Sequence, residues 1–177
     1  LLAGSSGFAA SGTCDLAQTV AQKAQKTFTT DKAAGLKLFI KAQQLCADDA
    51  RYSYNLGLAY YQYGRLGDAI TQVEEAVAKE NKNPLWLNNL AAMLLQQGGK
   101  ADAALKYAEQ AARKEQGAAV QETLARARFA AGKQAQALVG LSQFLSKQPD
   151  ATLKQTYATL LDSYHASQLQ AIAGGQV

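Results

Sequence analysis

The chain has 177 residues, 48% of them hydrophobic and 18% charged, with 18 Lys and Arg against 14 Asp and Glu for a formal net charge of +4. That length suits one globular domain or one short solenoid and is enough to bury a core. The charge is spread out, nowhere forming the basic stripe of a nucleic-acid binder, and no apolar run approaches the ~20 residues that span a bilayer.

In chain order, Leu1 to Thr13 is apolar and small, with Ala9, Ala10 and Ser11 adjacent. Residues 1–13 read as the remnant of a secretion signal or as a flexible Gly/Ser-rich leader. Residues 14–48 read as an irregular helical hairpin turning at Thr30, with Cys14 ahead of its first helix and Cys46 at the end of its second. An antiparallel hairpin brings those two ends together. If the chain is exported, a Cys14–Cys46 disulfide closes a loop of about 33 residues and stabilises it by roughly 3 to 4 kcal/mol in the chain-entropy account. Otherwise Cys46 is a small buried hydrophobe and Cys14 lies exposed in the leader. A third reading, Cys14 as a lipid-anchored cysteine, is disfavoured by Thr13 before it. The compartment expected is the periplasm or another export destination, with the cytoplasm as the alternative.

From residue 50 the chain repeats. Gly64, Gly98 and Gly132 recur at intervals of 34, as do Ala69, Ala103 and Ala137, and Leu56, Leu90 and Leu124. Each unit, over residues 50–83, 84–117 and 118–149, reads as an apolar-periodic helix, a Gly-containing turn and a second helix. Gly after the first helix suits a left-handed C-cap, and Ala beyond the turn lets two helices approach closely. Pro84 stands at a helix start, and Pro149 just past a helix end. Counting back 34 from Ala69, Val73 and Ala76 reaches Gly35, Phe39 and Ala42, so residues 14–48 form a degenerate copy. Over residues 150–172, Leu153, Tyr157, Leu160, Leu161 and Tyr164 make one helical stripe, the pattern of a capping helix. Residues 173–177 read as a tail.

The run Leu56-Gly57-Leu58-Ala59-Tyr60, followed by Gly64, Ala69 and Ala76, resembles the tetratricopeptide repeat (TPR). The next unit keeps Leu90, Gly98, Ala103 and Tyr107, with Ala91 in place of Gly57 and Gln110 in place of Ala76. The third keeps Leu124, Gly132, Ala137 and Pro149, with Arg128 where Tyr60 stood. The resemblance implies an all-α fold, a right-handed α-solenoid of about four TPR helix-turn-helix hairpins plus a C-terminal capping helix. It also implies a protein-protein interaction scaffold or adaptor that holds a protein segment or peptide in a concave groove.

Catalysis finds little footing. The one histidine, His165, falls in the capping helix, and two cysteines 32 residues apart with a remote histidine supply no zinc pattern. Gly98-Gly99-Lys100 lacks the strand and loop of a phosphate-binding motif, and Glu74 and Glu75 fall on a solvated helix face. The reading is no enzyme, no catalytic residue, no metal and no cofactor.

In TPR proteins the first helix of each hairpin lines the concave surface. With Leu56, Tyr60, Leu90, Leu94 and Leu124 committed to packing, the groove positions are Arg51, Tyr54, Asn55, Leu58, Tyr61 and Gln62. Their equivalents are Leu85, Asn88, Asn89, Ala92, Leu95 and Gln96, then Ala119, Glu122, Thr123, Arg126, Phe129 and Ala130. Asn55 and Asn89 occupy one repeat position despite the low helix propensity of Asn. A carboxamide offers both a donor and an acceptor to an extended backbone, and the pair resembles the asparagine ladder of peptide-binding TPR proteins. A carboxylate clamp is a poorer comparison, since Tyr54 and Leu58 stand where it needs Lys and Asn. The expected partner is therefore a protein segment docked on Tyr54, Tyr61, Leu95 and Phe129, its backbone gripped by the Asn pair. In the second reading the terminal repeats join copies of the chain into a homo-oligomer.

Overall fold

The computed structural model describes residues 6–173 and, among them, nine α-helices and no strand. They are α1 (Ser6–Phe28), α2 (Lys32–Leu45), α3 (Ala50–Gln62), α4 (Leu66–Lys79), α5 (Pro84–Gln97), α6 (Ala101–Ala112), α7 (Ala118–Ala130), α8 (Gln134–Lys147) and α9 (Ala151–Ala173). The chain divides into two compact units, the first ending at Trp86 and the second beginning at Leu87.

In the first unit α1 packs on α2, α2 on α3 and α3 on α4. The starts of α2, α3 and α5 carry side-chain caps. The Asp31 carboxylate accepts from Ala34 N–H at 2.9 Å, Asp49 from Arg51 N–H at 3.0 Å and Asn83 from Leu85 N–H at 3.0 Å, the last with Pro84 as the first helical residue. The α3–α4 turn is closed by Gly64 at φ 89°, which lets the Arg65 N–H reach back to the Tyr60 carbonyl at 2.9 Å. At the α1–α2 turn Thr29 and Thr30 stand instead, and among the described residues no non-glycine has positive φ. This hairpin is tight for a different reason. A Cβ on Gly35 would lie 2.5 Å from the Phe28 Cα, so glycine permits the two backbones to meet there.

The first helix departs from the expectation drawn from the sequence. It begins at Ser6, so residues 6–13 of the expected leader are helical, and Cys14 lies within α1 instead of ahead of it. The segment holds no proline, and extending a helix already anchored by packing absorbs the roughly 1 kcal/mol that each interior glycine costs. Residues 1–5 of that leader, and all but Ala173 of the expected tail, lie outside the described residues.

Cys14 and Cys46 form a disulfide with their Cα atoms 4.9 Å apart. Ala17, Ala42 and Tyr52 are buried around it, with Val20, Ala21 and Leu45 packed alongside. The Tyr52 hydroxyl donates to the Cys14 carbonyl at 3.4 Å, which ties α3 to the cross-linked hairpin, and burial pushes its phenol up. Farther along, Phe28, Leu36, Leu56 and Ala59 form a second cluster with Phe39, Ile40 and Tyr60.

In the second unit α7 packs on α6, α8 and α9, and α8 on α9. Small residues set these approaches. Ala125 and Ala137 are buried with Leu141 and Leu153, and Phe144, Leu145, Tyr157 and Leu160 pack around them. Gly132 at φ 76° closes the α7–α8 turn, with Lys133 N–H donating to the Arg128 carbonyl at 2.8 Å. The Asp150 carboxylate caps α9 through Leu153 N–H at 2.8 Å.

Candidate functional site

The first unit contains a recess of about 260 Å³ bordered by α1, α2 and α3. At 3.6 residues per turn, Asn55, Leu58, Ala59 and Gln62 share one stripe of α3, and Gln25 and Phe28 share one of α1, with Thr29 in the turn that follows. Both stripes line the recess, and Phe39 of α2 completes it. Phe28 and Phe39 meet edge to face, with ring centroids 6.0 Å apart, a geometry aromatic quadrupoles favour. The floor is thus apolar: Phe28, Phe39, Leu58 and Ala59. The rim carries the carboxamides of Gln25, Asn55 and Gln62 and the Thr29 hydroxyl. A cation stands beside it, for Lys32 Nζ donates to the Gln62 carbonyl at 3.2 Å.

Three of the six positions expected on α3 therefore converge here: Asn55, Leu58 and Gln62. The others are placed differently. Tyr61 is exposed on the same helix. Tyr54 is buried and stacked on Trp86 at 4.9 Å between centroids, a core residue and no groove anchor. Arg51 turns back to the α3 start. Its Nε and Nη2 donate to both oxygens of Asp49, and that hydrogen-bonded guanidinium holds the Asp49 carboxyl below its usual range.

The second-unit positions are more heavily engaged in packing than the sequence implied. Asn88 is buried, with no hydrogen-bond partner at its Oδ1, and Thr123 is buried, donating to the Ala119 carbonyl at 3.0 Å. Phe129 is half-buried against the α7–α8–α9 cluster. Glu122 and Arg126 pair with each other at 2.8 Å, and Glu122 also accepts from Thr156 at 3.3 Å. Asn89 and Leu95 are half-buried, while Ala92 and Gln96 are exposed. Gln25, Phe28 and Thr29 were missed from the sequence. Extending the 34-residue register back by one repeat places Gln25 and Phe28 at the positions of Ala59 and Gln62, which was the available signal.

Among the described residues, no three His, Cys, Asp or Glu gather as a metal site, and no helix is long and apolar enough to cross a membrane.

By sequence, the chain matches no protein-family profile and no curated protein. By structure it is similar to many solved helical-repeat proteins. PilF of Pseudomonas aeruginosa aligns at 18% identity over 88% of this chain and 72% of that one, with a TM-score of 0.70. A kinesin light chain of Podosopora anserina with nearly identical TPR-like repeats aligns at 17% identity over 93% of both chains, TM-score 0.73. YrrB, described as a TPR protein with an unusual peptide-binding site, aligns at 16% identity over 82% of this chain and 76% of its own, TM-score 0.70. The chain thus has the tetratricopeptide-repeat fold, an all-α helical-repeat solenoid.

Proposed function

We propose that this chain is a non-catalytic scaffold that binds a protein segment or peptide. In this reading the first-unit recess receives an apolar side chain, and Asn55, Gln62 and Gln25 hold the adjoining backbone. The observation that carries it is the pairing of a Phe28–Phe39–Leu58 floor with a carboxamide rim. Amides satisfy the N–H and C=O of any extended segment, while the floor selects its anchor. A volume of about 260 Å³ lies below the range typical of cofactor pockets and suits a side chain. A structurally similar protein, YrrB, is described as peptide-binding. In the second unit we propose Asn89, Ala92, Leu95 and Gln96 as further contact positions.

The disulfide supports an exported location, since such bonds persist in oxidising compartments. A test of the binding reading is to select peptides against the intact chain and measure their affinity by calorimetry. Leu58→Asp and Asn55→Ala are expected to weaken a selected apolar-anchored peptide at least tenfold at unchanged helicity. Unchanged affinity in both variants would remove the recess from the function.

A second reading, self-assembly, is favoured by one feature of α9: Leu169 and Ile172 are 67% and 64% exposed one turn apart. If copies join there, sedimentation shows a mass that rises with concentration and returns to monomer in Leu169→Glu/Ile172→Glu.

A further inference from the structure

The second unit holds a larger cavity, about 680 Å³, bordered by α6, α7 and α8 and lined by none of the candidate groove positions. On α7 it takes the stripe Gln121, Leu124 and Arg128. Glu122, Arg126 and Phe129 lie on another stripe, roughly 100° or more around the helix.

Arg128 is the unusual member. It stands in register with Tyr60 and Leu94, positions that pack in the other repeats, so a guanidinium has replaced a packing residue. Its Nε is buried without a hydrogen-bond partner, and among the described residues it forms no ion pair. The opposite wall accommodates it: a Cβ on Gly140 would lie 2.9 Å from Arg128 Nη1, so any larger residue would press on the guanidinium. Arg113 and Lys147, both exposed, line the same cavity, against one carboxylate, Glu109. A buried cationic donor left unpaired costs free energy that an incoming anion would recover, and the fork of Arg matches a carboxylate in geometry.

We infer that this cavity is a second binding site, one that takes carboxylate side chains of an acidic protein segment. Its size exceeds that of a single small anion, and the carboxamides of Gln143 and Gln148 at its edge can pair with a backbone. Glu109 sets a penalty against a dianion such as phosphate that is smaller for a singly charged carboxylate. The site shares no residue with the first-unit recess, so it stands or falls independently of it.

The test uses the full-length, disulfide-intact protein and a fluorescein-labelled hexaglutamate peptide. Hexaglutamine and inorganic phosphate serve as the comparison arms. Hexaglutamate is expected to bind saturably, weaken with added salt, and shift the Arg128 Nε–H resonance in nitrogen-edited NMR spectra. Arg128→Gln should weaken it at least tenfold, and Arg113→Gln/Lys147→Gln, on exposed positions, severalfold. Gly140→Ala, which displaces the guanidinium but keeps every charge, should also weaken it. If Arg128→Gln does not fold, the double variant and Gly140→Ala decide the matter. Equal binding of hexaglutamine, phosphate moving the Arg128 resonance where hexaglutamate does not, or unchanged hexaglutamate affinity in the folded variants would each overturn the site.

Discussion

The hairpins α1–α2 and α7–α8 solve one problem in two ways. In α7–α8 the turn itself is specified, with Gly132 in the left-handed region and its neighbours closing the helix end. In α1–α2 the turn has Thr29 and Thr30, and the cross-link sits at the opposite end, between Cys14 and Cys46. Both hairpins are packed, but one is closed by the backbone conformation of its turn and the other by a covalent bond that restricts its unfolded state. The contrast extends to the surfaces they offer. Phe28 and Phe39 make an apolar recess in the first unit, whereas Arg128, admitted by Gly140, makes a basic cavity in the second. A single repeat plan thus carries different chemistry wherever one packing position changes type.

The sharpest way to break the contrast is to remove the bond. Cys14→Ser/Cys46→Ser, or reduction, is expected to cost roughly 3 to 4 kcal/mol. Hydrogen exchange should show the loss over residues 14–46 and spare residues 118–147. The converse is Leu141→Ala, which empties a site 1% exposed in the α7–α8–α9 cluster. A loss of about 3 kcal/mol is expected, with the protection pattern reversed. Next comes the turn. Gly132→Ala forces a side chain into positive φ and should lower stability by about 1 kcal/mol. Thr30→Gly should bring no gain even in the reduced protein, because the α1–α2 turn has no positive φ to relieve. A gain in thermal midpoint for Thr30→Gly would mean that the first hairpin lacks only a turn glycine.

The smallest effects are those of pH, and both belong to the first unit. The folded pKa of Asp49 is lowered by Arg51, so its contribution is present above the unfolded value of about 3.9 and is lost as pH falls through the folded one. Tyr52 is raised by burial, so its contribution is present below about 10 and is lost as pH rises through the folded value. Thermal midpoints of Asp49→Asn should accordingly fall less on acidification than those of the parent, and those of Tyr52→Phe less on alkalisation.

Much of this was legible in the residues. The interval of 34 between Gly64, Gly98 and Gly132 reports local backbone chemistry, which a sequence records directly. Asn55, Leu58 and Gln62 could be grouped because helical spacing alone sets them on one stripe. Tyr54 was misread for the same reason that these were not. It lies one position from Asn55, so whether it faced outward or packed on Trp86 depended on a rotation of about 100° that only the neighbouring helix decides.

What the sequence by itself determined is therefore periodic and local: helices, glycine turns, the repeat interval and the proximity of two cysteines at the ends of a hairpin. The tertiary structure alone decided which stripe of each helix faces a cavity, that α1 extends back to Ser6, and that Arg128 lies opposite Gly140 with Arg113 and Lys147 nearby. Those outcomes depend on three helices meeting at a fixed rotation and distance, and no interval along a single chain encodes such a meeting.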